Sequence, residues 1–116
     1  MPDYIDFIRA NLSERALLEQ LAEEAAELAQ AALKMIRASN HENPTPVTQE
    51  EAYIDLIKEC ADISSCLVAL GYNTAKERLL IIQTMHEKQQ RWVERIKKER
   101  SPDGGMSDAR SVSDDA

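Results

Sequence analysis

LLEQLAEEAAEL, residues 17–28, reads as a helix with one apolar side: Leu and Ala recur at spacings of three and four, and neither Gly nor Pro interrupts them. Inside it Glu24 and Glu27 stand i, i+3, so both carboxylates project from one side. A second stretch, LIKECADI at residues 56–63, sets Glu59 and Asp62 at the same spacing. Two like charges ~4 Å apart repel by roughly 4 kcal/mol at an effective dielectric of 20. A fold that brings both pairs together therefore needs a divalent cation to offset the repulsion.

The 116 residues suffice for one domain with a single helical core. Only 3 Gly and 4 Pro occur, aromatic content is 4%, and the apolar residues are largely Ala, Leu and Ile, which suits helix packed on helix. The expectation is an all-α, four-helix bundle-like fold with a short first helix and three long ones. So few large side chains give one copy a thin core, and a homodimer or homotetramer is expected. A net charge of −7 argues against nucleic-acid binding, which relies on clustered Lys and Arg. Cys60 and Cys66 lack the spacing of a zinc or redox pair and read as reduced, half-buried thiols. MPDYIDFIRA is acidic and lacks an apolar run of signal-peptide length, and no run approaches membrane-spanning length, which predicts a soluble, cytoplasmic protein without a membrane partner.

A first helix is expected from Pro2 to Ala10, with Tyr4, Ile5, Phe7 and Ile8 as its apolar face. A capping box of Asn11 and Glu14 would open the second, which runs to Ala38 along a seam of Leu18, Leu21, Ala25, Leu28, Ala32 and Met35. SNHENPTPV, residues 39–47, is a connector. Thr48 with Glu51 opens the third helix, which ends at Leu70 where Gly71 supplies a left-handed turn. Thr74 with Glu77 opens the fourth, carrying Leu79, Ile82, Met85, Val93 and Ile96 to about Arg100. Residues 1–100 thus form one domain, and 101–116, rich in Ser, Asp and Gly, are expected to be a disordered tail.

With Leu21 at the centre of the second helix's stripe, Glu24 lies about 60° and Glu27 about 120° to one side. On the third helix the stripe centres on Cys60, with Tyr53, Leu56, Ile57, Ile63 and Leu67 inward. Glu59 is about 100° and Asp62 about 160° off that centre, with Asp55 on the same flank. Antiparallel neighbours would then face rim to rim across an acidic cleft whose hard oxygen donors suit Mg²⁺ or Mn²⁺.

QLAEEAAELAQAALK (20–34) and EEAYIDLIKECADISSCLVAL (50–70) resemble the MazG-like all-α nucleoside triphosphate pyrophosphohydrolases. The resemblance covers most of residues 15–96. It implies that Glu24, Glu27, Glu59 and Asp62 bind magnesium, that the chain is an oligomeric hydrolase, and that its products are a nucleoside monophosphate and pyrophosphate. The stretch between Glu27 and Glu59 is long for that family, and Lys58 stands where relatives often carry another acid. Glu24 or Glu27 is the candidate catalytic base. Lys88, Arg91 and Arg95, nearly in line on the fourth helix, are candidate contacts for the β and γ phosphates of the substrate. Trp92 reads as a packing or dimer residue, and Tyr53 as core. His41 and His86 lack the Glu-x-x-His spacing of a di-iron bundle, and no glycine-rich phosphate loop is present. The competing readings are a non-catalytic helical dimerisation or adaptor module, whose acids merely solvate helix faces, and a nucleotide sensor that binds without hydrolysis.

Overall fold

The structure, a computed structural model, describes residues 3–40 and 42–102. Pro2, His41 and the tail from residue 103 lie outside the described residues. Within them the chain is all-α: α1 (Tyr4–Asn11), α2 (Glu14–Asn40), α3 (Gln49–Leu70) and α4 (Ala75–Glu99). No described helix is long and apolar enough to cross a membrane. The chain divides into two compact units, one ending at Asn73 and the other beginning at Thr74.

Local chemistry explains most helix ends. Asp3 caps α1 by accepting the Asp6 N–H at 3.1 Å. Asn11 and Glu14 do not form the expected box: the Asn11 amide donates back to the Phe7 carbonyl, and Ser13 instead accepts the Ala16 N–H at 3.1 Å. Ser13 wins because it stands directly before the first helical residue, three short of the amide it satisfies. At α3 the box forms as the sequence predicts, with Thr48 and Glu51 exchanging side-chain-to-amide bonds of 3.1 Å. Its other end closes on Gly71 at φ 79°, with the Gly71 N–H on Val68 O and the Tyr72 N–H on Leu67 O.

In the first unit α2 and α3 form a hairpin, and α1 lies on α3. The hairpin is antiparallel of necessity. Glu24 is about 24 Å before the end of α2 and Glu59 about 15 Å into α3, yet their carboxylates meet. A parallel return would ask the connector to descend roughly 39 Å, beyond the ~31 Å that its residues can span.

The seam between α2 and α3 keeps Leu21, Leu28 and Met35 of the expected α2 line and Leu56, Ile63 and Leu67 of the α3 line, while its other members move to the neighbouring residue. On α2, Leu17, Ala31 and Ala38 are buried and Leu21, Glu24, Leu28 and Met35 half-buried, whereas Leu18, Ala25 and Ala32 are exposed. On α3, Ala52, Cys66 and Ala69 are buried and Leu56, Glu59 and Ile63 half-buried, while Tyr53 (54%), Ile57 (49%) and Cys60 are exposed. Buried alanines, with Ala52 wholly enclosed, let the helix axes come close. The two thiols, expected to be alike, therefore part: Cys66 is inside and Cys60 outside.

On α1, Ile5 and Ile8 are half-buried, but Tyr4 (73%) and Phe7 (71%) face outward, so the inward face is narrower than the expected four residues. Arg9 completes the docking. Its Nε donates to Ala69 O at 2.9 Å and its Nη2 to Val68 O at 2.6 Å, placing a guanidinium on the last carbonyls of α3 where the helix dipole favours a cation.

The second unit contains α4. The Glu77 carboxylate accepts the Thr74 N–H at 3.1 Å and the Thr74 hydroxyl, Lys97 and Lys98 occupy the last turn, and none of the helix's residues is buried.

Replacing Arg9 with Ala should lower stability by about 1–2 kcal/mol, because two charge-assisted bonds vanish. Amide exchange should quicken in residues 4–11 and stay unchanged in 14–40. Gly71→Ala should cost about 1 kcal/mol by urea titration, since the left-handed backbone there penalises a Cβ.

Candidate metal centre

Alternation of three and four along α2 (17, 21, 24, 28, 31) puts Glu24 on the buried seam itself, between Leu21 and Leu28. Glu59 holds the matching place on α3, between Leu56 and Ile63. Both acids thus lie inside the helix contact and not on its rim. Glu27, one turn on from Glu24, is exposed and reaches the same spot from the edge.

One carboxylate oxygen from each of Glu24, Glu27 and Glu59 lies within 4.8 Å of the others. Glu24 is aimed by a neighbour: the Gln20 amide donates to Glu24 Oε1 at 2.7 Å. The other oxygen, Glu24 Oε2, is buried and without a hydrogen-bond partner, as is Glu59 Oε2. Buried carboxylate oxygens left unpaired are costly, and among the described residues no cation meets them.

The electrostatics carry the mark of this crowding. The charge of Glu24, followed by burial, pushes the Glu27 carboxyl above the ordinary value of 4.5. Burial comes first for Glu59, followed by the charges of Glu27, Asp62 and Glu24, and its carboxyl is raised as well. Burial together with Glu24 and Asp62 holds Cys66 as a neutral thiol.

Of the acids read from the sequence, Glu24, Glu27 and Glu59 converge. Asp62 is exposed and stays outside the tight set, acting on it through its charge. Asp55 is half-buried one turn before Glu59, and Glu23 and Lys58 are exposed. Lys88, Arg91 and Arg95 belong to α4, in the second unit, where Lys88 and Arg91 are exposed and Arg95 is half-buried. Trp92 is 56% exposed on the same helix. Gln20 was not singled out by its sequence, although its i, i+4 relation to Glu24 is the signal that could have found it.

A donor set made only of carboxylate oxygens, two of them buried and unsatisfied, fits a small hard divalent ion such as Mg²⁺ or Mn²⁺. Comparison with family models, with curated proteins and with solved structures finds nothing that matches this chain.

The raised carboxyls set a pH dependence for the metal-free protein. Between the unfolded value near 4.5 and the higher folded value, the folded state binds more protons than the unfolded. Stability is thus greatest at the acid end of that window, falls as pH rises through the folded pKa, and carries a constant penalty above it. Thermal melts in chelator should show this decline, and Glu27→Gln with Glu59→Gln should flatten it and raise the neutral-pH melting temperature. A decline equal to wild type in that double variant would place its origin in other acids.

Proposed function

We propose that this protein is a magnesium-dependent hydrolase of (deoxy)nucleoside triphosphates, of the MazG-like kind, releasing a nucleoside monophosphate and pyrophosphate and so clearing unwanted nucleotides. What carries the reading is the pair of orphaned buried oxygens, Glu24 Oε2 and Glu59 Oε2, on facing seams beside the Glu27 carboxylate. A helix pair kept only for folding has no use for acids at those positions, because apolar residues would pack there at lower cost.

In this reading Glu24, Glu27 and Glu59 hold Mg²⁺, or Mn²⁺ in its stead, with Asp62 at the rim. The bound ion supplies charge neutralisation for the polyphosphate and a lowered pKa for a water. The chain's own residues do the rest. Gln20 fixes the Glu24 carboxylate, and the apolar seam keeps the acids from swinging apart. Glu27, the most exposed of the three and raised in pKa, is suited to take the proton of the attacking water; Glu24 is the alternative base. Lys88, Arg91 and Arg95 form a row on α4 of the kind that binds β and γ phosphates, and they are proposed for that role as a property of α4 itself. A homodimer or homotetramer in the cytoplasm is part of the proposal.

One observation favours the second reading, a non-catalytic dimerisation module: large apolar side chains lie exposed on α2 and α3. The two readings part on magnesium. A metal site stabilises by mass action, about 2.7 kcal/mol at a hundredfold excess over Kd, whereas solvated acids respond only to ionic screening.

Incubation with a panel of (d)NTPs and Mg²⁺ should release pyrophosphate from at least one of them. Glu24→Gln should lower kcat by a factor of about 100 or more while leaving the melting temperature equal or higher. Tight nucleotide binding without release would select a sensor. Neither binding nor a magnesium-dependent melt would leave the dimerisation module.

A further inference from the structure

The two oxygens of the Glu24 carboxylate are not equivalent. Oε1 accepts the Gln20 amide at 2.7 Å, whereas Oε2 is buried and unpartnered. On the facing seam Glu59 presents a buried, unpartnered Oε2 of its own. Half-buried Leu21 and Leu28 flank Glu24 along the seam and limit its freedom to rotate.

Gln20 stands four residues before Glu24, so its amide reaches the carboxylate from one turn away. The residue type matters here. A Lys or Arg would bring a positive charge, neutralise Glu24 and compete with any cation, and an acid would repel the carboxylate. A primary amide does neither. It donates an N–H to one oxygen and leaves the net charge of the carboxylate for a ligand at the other. A cation approaching Oε1 would meet the positive end of the amide dipole and would have to break that bond.

We infer that Gln20 is a positioning residue that sets ion selectivity: by holding Oε1 it restricts Glu24 to binding through Oε2 alone, and so raises the preference of the site for Mg²⁺ over Ca²⁺. The difference between the ions lies in their coordination. Mg²⁺ takes oxygens at about 2.1 Å in a near-ideal octahedron, which favours one oxygen from each carboxylate. Ca²⁺, at roughly 2.4 Å, accepts about six to eight oxygens in a flexible shell and readily takes both from one carboxylate. With Oε1 held, Glu24 offers calcium one oxygen where it could offer two. This inference rests on the metal reading of the proposed function and adds to it which ion the site admits.

The test uses the full chain, stripped of metal by chelator, and follows its melting temperature against Mg²⁺ alone and Ca²⁺ alone. Each titration yields a dissociation constant by mass action. Gln20→Met keeps the length and helix preference of the side chain and removes the donor; Gln20→Leu is the second variant. The position is exposed, so helix content and the metal-free melt should stay those of wild type. Both variants should shift the ratio of the two dissociation constants toward Ca²⁺ by about tenfold or more. A wild-type melt that neither ion moves would remove the metal site and this inference together. A wild type that responds to Mg²⁺, with the ratio unchanged in the variants or with both ions weakened equally, would overturn the role of Gln20 alone and leave the metal reading standing.

Discussion

Small side chains along the α2–α3 contact are the constraint from which the rest follows. Ala31, Ala38, Ala52 and Ala69 are all buried, so the two backbones meet without large side chains to hold them apart. Any side chain longer than Ala on the same line is pressed toward its opposite number. Where that side chain is Leu or Ile it fills the seam, and where it is Glu24 or Glu59 its carboxylate is driven into the company of another. Close approach of alanines is therefore what turns two ordinary glutamates into a cluster with unpartnered buried oxygens. Larger residues at those alanine positions would widen the gap and let both acids relax to solvent.

The helices, most of their caps and the identity of the converging acids were legible in the sequence, since Glu-x-x-Glu, Glu-x-x-Asp and the Thr-x-x-Glu boxes act over one turn. The rotation of the helices was not. On α2, the line through Leu18 is apolar and the line through Leu17 is apolar but for Glu24, so periodicity alone separates them by one residue only. The seam of Leu18, Leu21, Ala25, Leu28, Ala32 and Met35 leaves Glu24 at its rim, and the structure buries the line through Leu17, Glu24 and Ala31. On α3 the stripe centred on Cys60 with Tyr53 inward is likewise displaced by one residue, to Ala52, Glu59 and Cys66. Burial of a charged group is the feature that hydrophobic patterning is built to reject, which is why it failed where the candidate site lies. Arg9 escaped for a different reason: its partners are backbone carbonyls about sixty residues away, and no local spacing records them.

That Arg9 contact ties α1 to the far end of the hairpin. Gly71 turns the chain out of α3, and the guanidinium donates to the Ala69 carbonyl and to the Val68 carbonyl, which also accepts the Gly71 N–H. The buried thiol of Cys66 lies one turn before them and feels the charges of Glu24 and Asp62. Support of the hairpin's end is thus continuous with the wall of the acidic cluster. A neutral thiol suits that place, since it adds no further negative charge.

The hairpin divides its chemistry across its width: Glu24 and Glu59 lie on the seam, Glu27 and Asp62 at one edge of it, and exposed uncharged side chains such as Leu18, Ala25, Tyr53 and Ile57 at the other. The division comes from a one-residue offset repeated on both antiparallel helices, and it reconciles two demands that would otherwise conflict. A cluster of carboxylates repels another copy bearing the same cluster, while an apolar strip attracts one. With both on one face the repulsion would oppose assembly at close range, where the low-dielectric contact weakens it least. On opposite faces, a contact made through the uncharged side would bury no formal charge and would leave Glu27 and Asp62 open to solvent. The spacing of the seam carries Glu24 and Glu59 inward with Ala31 and Ala52, and one residue to either side it leaves Glu27 and Asp62 at one edge and Ala25 and Ala32 at the other.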